Sequence, residues 1–221
     1  MPTFNGARYI EKALASLEAV CDRIIVLDDG STDETPDILR KHPIGPIYTN
    51  PPKQQDWARG GDGPNRNFLL RMADLLAPRH CVVLDDDEEF EDPEAVRECI
   101  LQHDPEGLVF SLVHLWDRED MARQRAPATG TPIERPRAWK WQHGERVHLS
   151  ARVVHCWATP YRRDPLVRHD LRIIHWGLFD AADRLKKYQR YRELDPNSYL
   201  NGENYGAMWF PIMVEPFVRK T

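Results

Sequence analysis

The chain has 221 residues, of which 41% are hydrophobic and 29% are charged, and its formal net charge at pH 7 is −5. This composition is that of an ordinary globular protein, and the absence of a Gly/Ser-rich linker predicts a single domain. The negative net charge argues against general nucleic-acid binding. Without a long apolar run, a signal peptide or a CxxC pair among its four cysteines, the sequence predicts a cytoplasmic protein without disulfides and with no transmembrane segment.

The first half begins with a predicted helix followed by a strand that ends in carboxylates. Apolar residues recur at helical spacing from Ile10 to Leu17. The apolar residues 24–27 then predict a buried strand that leads directly into Asp28 and Asp29. Thr35 and Pro36 have the pattern of a helix start, so we expect a strand, a polar turn and a helix in succession.

The same order repeats further along the chain. We expect a helix at 36–41, a short strand at 44–48, a loop at 50–64, a helix around 68–76 and a strand at 80–84. Alternating strands and helices indicate a mainly parallel, Rossmann-like sheet flanked by helices, in which the carboxyl ends of the strands lie at one edge. The acidic residues that follow the two strands should therefore be neighbours.

The second of these acidic segments, LDDDEEF, covers residues 84–90. If the strand continues past Leu84, Asp85 and Asp87 point to the same side and Asp86 to the other. Two converging carboxylates suit Mg²⁺ or Mn²⁺, which are commonly held by one or two carboxylates together with substrate phosphates. The alternative is an acidic turn before a helix that begins near Asp92.

The pattern of the second half of the sequence predicts a long strand at 107–116, a charged active-site loop at 117–136, and further strands at 147–157 and 171–175.

Some arginines and tryptophans in this half are candidates for ligand contacts. The alternatives are a solvated position for the arginines and a core position for the tryptophans. The candidates are the loop arginines Arg118, Arg123 and Arg125, and the tryptophans Trp139, Trp141, Trp157 and Trp176 as flat surfaces for sugar rings.

Four motifs together carry a resemblance to a known family. They are PTFN at residues 2–5, IIVLDDGSTD at 24–33, Arg66-Asn67 at the start of a helix, and LDDDE at 84–88. In this order and spacing the chain resembles the family 2 glycosyltransferases, which have the A-type (GT-A) nucleotide-sugar-binding fold. The resemblance implies one α/β domain with a smaller mixed acceptor-side sheet. It divides into a nucleotide-sugar-binding half at 1–105, an acceptor-side half at 106–180, and a C-terminal helix and tail at 181–221.

The resemblance also implies roles for particular residues. Asp29 would contact the nucleotide base, Thr3 would line the same pocket, and Arg66 would lie near the nucleotide. The full set of implied donor-binding residues is Thr3, Asn5, Asp28, Asp29, Arg66, Asp85 and Asp86.

The metal ligands implied by the resemblance come from two segments. The DxD-like motif supplies Asp85 and Asp87, and a His-aromatic-Gly element supplies His175. Mn²⁺ or Mg²⁺ is the expected cofactor, and an imidazole ligand favours Mn²⁺. His155 is a lesser candidate, for which a core position is favoured.

The activity that the resemblance implies is transfer of a sugar from a nucleoside diphosphate sugar, with UDP favoured, to an acceptor hydroxyl. The acceptor would be a saccharide, a lipid-linked molecule or a protein, in synthesis of cell-surface polysaccharide, lipopolysaccharide or glycoconjugate. An inverting enzyme needs a general base, for which Asp117, Glu119 and Asp120 are candidates by position. Without such a base the enzyme would be retaining, so the stereochemistry stays open.

The sequence departs from the family pattern at the start of the chain, because family members have an apolar first strand before the PTFN motif.

Two alternative functions from other protein classes remain. A nucleotidyltransferase would show a Gly-rich phosphate loop, which residues 5–8 match poorly, and a sugar-binding module would need no metal carboxylates. The aromatic C-terminal residues leave open packing on the domain, dimerisation or contact with a membrane surface.

Overall fold

The computed structural model describes residues 1–51, 62–124, 133–144, 159, 165–194 and 213–219. These residues form five helices and two sheets. The helices are α1 (Ile10–Val20), α2 (Thr35–Lys41), α3 (Asp62–Asp74), α4 (Pro93–His103) and α5 (Ala181–Leu194). The strands are β1 (Pro2–Thr3), β2 (Val26–Asp28), β3 (Ile47–Thr49), β4 (His80–Val82), β5 (Glu88–Phe90), β6 (Gly107–Trp116), β7 (Arg118–Gln124), β8 (Ile133–Lys140), β9 (Leu166–His175) and β10 (Met213–Pro216). In this part of the chain, no helix is long and apolar enough to cross a membrane.

The first sheet consists of three parallel strands in the order β1-β2-β3. Thr3 pairs with Asp28, which in turn pairs with Thr49. α1 has an apolar face that includes Ile10 and Leu14, both fully buried in the same hydrophobic cluster as Val26 of β2. The predicted succession of helix, strand and polar turn is confirmed, and Asp29 follows β2 at its carboxyl end.

The second sheet has seven strands among the described residues and is mixed. β6 lies at its centre, antiparallel to β8 and parallel to β9. β5 pairs with β9, β4 with β8, and β7 joins β6 to β10, all antiparallel. The α/β class with a parallel sheet and a mixed sheet is as predicted, but the mixed sheet is the larger of the two.

The strand predicted at 80–84 ends earlier than expected. β4 stops at Val82 and pairs with β8 instead of extending the parallel sheet. The acidic residues then turn, since the Glu88 amide donates to the Asp85 carbonyl at 3.1 Å. The predicted alternation of Asp85, Asp86 and Asp87 is therefore wrong, because it requires extended backbone. The apolar residues of a strand predict that it is buried, but they do not predict which other strand it pairs with.

The loop predicted at 117–136 is also largely wrong. Asp117 alone separates β6 from β7, with Trp116 paired with Arg118 across the turn. Most of the segment is strand, because charged side chains are tolerated on an exposed strand as well as in a loop. Residues 125–132, with Arg125, and the strand predicted at 147–157, with His155 and Trp157, lie outside the described residues. The strand predicted at 171–175 is confirmed as the end of β9.

Three of the tryptophans proposed as sugar-binding surfaces are buried. Trp139 and Trp176 are 2% exposed and Trp141 is 8% exposed. Trp176 stacks on Tyr9 with ring centroids 5.6 Å apart. The proposed sugar contact is wrong for these three, because their apolar area is already covered by protein.

Candidate active site

The PTFN segment and the turn after β2 are joined by hydrogen bonds. The Asn5 side-chain oxygen accepts from the Thr32 amide at 2.8 Å, and the Asn5 amide donates to the Ser31 hydroxyl at 2.8 Å. Asp28 accepts from the Ser31 amide at 2.9 Å. Asn5 and Asp28, both implied as donor-binding residues, therefore shape the turn through contacts of their own.

Asp29 lies at the carboxyl edge of the parallel sheet and is buried. One carboxylate oxygen accepts from the Asn50 side chain at 2.6 Å, and the Asp29 amide donates to the Thr3 carbonyl at 2.8 Å. The same Asn50 amide lies 3.4 Å from the side-chain oxygen of Asn65 on α3. Asp29 is thus linked to the N-terminal segment through Thr3 and to Asn65 on α3 through Asn50.

The three carboxylates of residues 85–87 point to three different groups of partners. Asp85 accepts from the guanidinium of Arg66 and, at 3.1 Å, from that of Arg137. Burial alone would raise the Asp85 pKa, but the two arginines hold it well below its usual range. Asp85 is therefore an ionised carboxylate already paired with two cations.

Asp86 faces the N-terminal segment. Its carboxylate accepts from the Thr3 hydroxyl at 2.6 Å and from the Phe4 amide at 3.2 Å. Burial and the neighbouring Asp87 carboxylate raise the pKa of Asp86 to about 6. A side chain at Gly6 would overlap this carboxylate, so the close approach of the two motifs requires glycine there.

Asp87 faces His175 and Lys187. Its carboxylate accepts from the Lys187 ammonium at 2.9 Å and lies 3.5 Å from His175 Nε2. Burial opposes ionisation of Asp87, yet Lys187 and His175 keep its pKa below the usual value. Gly177 permits this arrangement, because a Cβ atom there would overlap both the Asp87 carboxylate and the Lys187 ammonium.

The hydrogen bonds of His175 assign its tautomer. Nε2 lies 3.1 Å from the Lys187 ammonium, and Nδ1 lies 2.8 Å from Nδ1 of His114. An ammonium group only donates, so Nε2 of His175 accepts and its proton is on Nδ1. Burial, assisted by Lys187, lowers the pKa of His175 to about 4, so the ring is neutral at pH 7. Nε2 therefore presents its lone pair to the Lys187 ammonium, which also binds Asp87.

The side chains around Asp87 fit a divalent cation in part. Asp87 and His175 offer a carboxylate oxygen and an imidazole lone pair on the same side, which suits Mn²⁺ or Mg²⁺ when phosphate oxygens complete the coordination. The position between them is occupied by the Lys187 ammonium, and no group of three His, Cys, Asp or Glu side chains with metal-binding geometry occurs among the described residues. Two of the three predicted ligands thus come together, while Asp85 is engaged by Arg66 and Arg137.

The candidate bases lie on or next to β7. Asp117 accepts from Arg184 at 2.7 Å, and Arg184 also donates to the carbonyls of Leu178 and Phe179. Asp120 is exposed and paired with Arg118 on the same strand. Asp117 thus anchors the residues that follow β9, and the role of either carboxylate as a base stays a prediction.

Sequence reasoning did not assign three side chains that meet this site. Arg137 on β8 donates to Asp85 and Glu88, His114 on β6 holds the His175 tautomer, and Lys187 on α5 binds Asp87. The one signal available was on α5, where Arg184, Lys187 and Tyr191 recur at helical spacing. That pattern places cations on a single helix face.

Comparison with known protein families identifies the family of this chain. Residues 1–169 match the family described as Glycosyl transferase family 2. Because this match spans more than half of the chain, the protein belongs to glycosyl transferase family 2, as its motifs predicted.

Two curated relatives, proteins of Mycobacterium tuberculosis and Mycobacterium bovis that are both called uncharacterized, are 27% identical over 89% of this chain. The chain spans about half the length of these relatives, at 50%. Among solved structures, this chain is similar to S. aureus TarS 1–349, with 17% sequence identity and a TM-score of 0.49. The alignment covers 94% of this chain and 76% of the TarS chain. The alignment with the structure of S. aureus TarS 1–349 in complex with UDP covers 63% of this chain and 45% of the TarS chain, with 22% sequence identity and a TM-score of 0.42.

Proposed function

We propose that this protein transfers a sugar from a nucleoside diphosphate sugar, with UDP as the favoured nucleotide, to an acceptor hydroxyl. The observation that carries the proposal is the 2.6 Å hydrogen bond from Thr3 to Asp86 in a chain that belongs to glycosyl transferase family 2. This bond joins the N-terminal motif to the acidic turn, and the Asp29 amide donates to the Thr3 carbonyl from the other side. The motifs that would bind the base and the diphosphate are therefore adjacent.

In this proposal the base lies against Asp29 and the diphosphate lies towards residues 85–87. Arg66 and Arg137 place two guanidinium groups beside Asp85. Fixed cations next to a developing diphosphate charge favour departure of the leaving group. Asp117 and Asp120 remain the proposed candidates for deprotonating the acceptor.

The proposed cofactor is Mn²⁺ or Mg²⁺, held by Asp87 and His175, whereas Asp85, the third predicted ligand, is paired with Arg66 and Arg137. When bound, such an ion neutralises the negative charge that develops on the diphosphate as the glycosidic bond breaks. The contribution of the protein is to hold the neutral His175 ring so that Nε2, with its lone pair, lies 3.5 Å from the Asp87 carboxylate.

The proposed acceptor is a saccharide, a lipid-linked molecule or a protein, in synthesis of cell-surface polysaccharide, lipopolysaccharide or glycoconjugate. Family membership supports the reaction class, whereas the acceptor follows from the resemblance alone.

The proposal is tested by incubating the full chain with a panel of nucleotide sugars, with Mn²⁺ and with EDTA. We expect one sugar nucleotide to bind with Mn²⁺ present and to release nucleoside diphosphate slowly. Release of pyrophosphate from a nucleoside triphosphate and a sugar phosphate would instead indicate a nucleotidyltransferase. Sugar binding that needs neither metal nor nucleotide would indicate a binding module.

A further inference from the structure

Lys187 occupies an unusual position for a lysine. Its ammonium lies 2.9 Å from the Asp87 carboxylate and 3.1 Å from Nε2 of His175, and its side chain is only 22% exposed. The carboxylate raises the Lys187 pKa although burial opposes it. The ammonium therefore carries a full charge at the point where the two groups converge.

In the part of the chain that the structure describes, one counter-charge lies in direct contact with this ammonium. Asp87 supplies it, His175 and His114 are neutral by the hydrogen-bond pattern given above, and Asp85 is paired with Arg66 and Arg137. A divalent cation held by Asp87 and His175 would have to take the place of this ammonium, because two positive charges at the same two groups repel strongly. Lysine and metal therefore cannot share these two ligands.

The geometry of α5 allows the ammonium to leave without movement of the helix. Lys187 follows Arg184 by three positions, and Arg184 is fixed by Asp117 and two carbonyl groups. The lysine reaches Asp87 through a flexible four-carbon stem, so rotation of the stem can move the charge by several ångströms. The diphosphate proposed above would provide new oxygen acceptors nearby.

We propose that Lys187 occupies the metal site in the free protein, where its ammonium binds Asp87 and His175. When a divalent cation binds together with the sugar donor, the ammonium leaves these two ligands. Lys187 then binds the diphosphate of the donor. This inference rests on the proposed function. It predicts that metal alone binds weakly and that metal and nucleotide strengthen each other's binding, since linkage makes such coupling reciprocal.

The test is a titration of the full chain with Mn²⁺, followed by electron paramagnetic resonance of the free ion, with and without UDP. Lys187→Met should bind Mn²⁺ in the absence of UDP about tenfold or more tightly than the parent, because the competing charge is gone. The factor by which UDP strengthens Mn²⁺ binding should fall in the same variant. Lys186→Met is the matched control, since Lys186 is exposed and its ammonium donates to the Asn5 carbonyl at 3.4 Å. Its Mn²⁺ affinity should stay within about twofold of the parent.

Equal or weaker Mn²⁺ binding by Lys187→Met than by the parent would overturn the inference, and so would an absence of Mn²⁺ binding in both. If Lys187→Met does not fold, the ¹⁵N resonance of the Lys187 ammonium in the parent chain decides, assigned with Lys187→Arg. Addition of Mg²⁺ and UDP together should shift it, and an unchanged resonance in the presence of bound UDP would reject the exchange. Failure of every nucleotide sugar to bind would reject the proposed function, while the Mn²⁺ titration of the free protein would still decide on the competition.

Discussion

Single charged residues in the centre of the protein have distinct roles that depend on their partners. Glu88 is 2% exposed, and its carboxylate accepts from Arg137 and from the Asp85 amide. Arg137 is also buried and reaches Asp85. Such a buried pair is stable as a unit, whereas removal of one member leaves an uncompensated charge.

Arg137→Met should therefore lower the free energy of unfolding by about 3–5 kcal/mol, because Glu88 loses its cation in a buried position. Urea denaturation measures this loss. The same substitution at Arg118, whose pair with Asp120 is exposed, should cost about 1 kcal/mol or less. A loss at position 137 as small as that at 118 would contradict the buried-charge argument.

Asp28 and Asp29 are adjacent but should respond differently to substitution. Asp29→Ala should weaken UDP binding roughly tenfold to a hundredfold, because a carboxylate hydrogen bond to the base is worth about 1.5–3 kcal/mol. Isothermal titration calorimetry in the presence of Mn²⁺ measures this.

Asp28→Ala should affect stability, in contrast to Asp29→Ala. Asp28 accepts from the Ser31 amide, so the substitution should lower the unfolding midpoint because the turn after β2 loses this hydrogen bond. Unchanged UDP affinity in Asp29→Ala would remove Asp29 from the proposed base pocket.

At the scale of elements, α5 is attached to the N-terminal segment by polar contacts. The Tyr9 hydroxyl donates to Asp183 at 2.7 Å, and Arg8 forms ion pairs with Asp180 at 2.6 Å and Asp183 at 2.9 Å. Asp180 also accepts from the Asp183 amide in the first turn of the helix. These contacts hold the helix that carries Lys187 over the acidic turn.

Asp183→Ala should accelerate hydrogen exchange of the α5 amides, because Tyr9 and Arg8 both lose an acceptor on that helix. Exchange in β6 and β9 should stay the same. Mass spectrometry of peptides from the exchanged protein measures both regions. Asp37→Ala, which breaks an exposed pair with Arg40 on α2, should leave α5 unchanged. Faster exchange throughout the sheet would instead indicate general destabilisation.

At the scale of the whole molecule, binding of metal and nucleotide should appear as increased stability. UDP with Mn²⁺ at a hundredfold above its dissociation constant should stabilise the fold by about 2.7 kcal/mol, which is several degrees in Tm for a domain of this size. UDP with EDTA should produce a smaller shift, since no divalent cation then joins the diphosphate to Asp87 and His175. Differential scanning fluorimetry measures both.

Asp87→Asn should abolish the metal-dependent part of this shift, because it removes the charge of one proposed ligand. Asp37→Asn serves as the control for a carboxylate far from the site and should respond as the parent does. A full metal-dependent shift in Asp87→Asn would place the metal elsewhere.

Local patterns in the sequence determined the first βα unit, the family and the edge at which the site lies. The spacing of apolar residues in α1 can be recognised from neighbouring residues alone, and so can the apolar strand that ends in Asp28. Asp92 and Pro93 likewise begin α4, with the Asp92 side chain accepting from the Ala95 amide at 2.9 Å. Each of these features depends on contacts within a few positions along the chain.

The tertiary structure decided how the acidic turn is used. Asp85 meets Arg137 across 52 positions, and Asp87 meets Lys187 across 100. The antiparallel pairing of β4 with β8 also joins segments far apart in sequence. Such contacts follow from the pairing of whole strands and the docking of α5, for which no local pattern exists. The sequence by itself therefore determined that carboxylates cluster at residues 85–87, and only the fold decided that arginine, threonine and lysine each bind one of them.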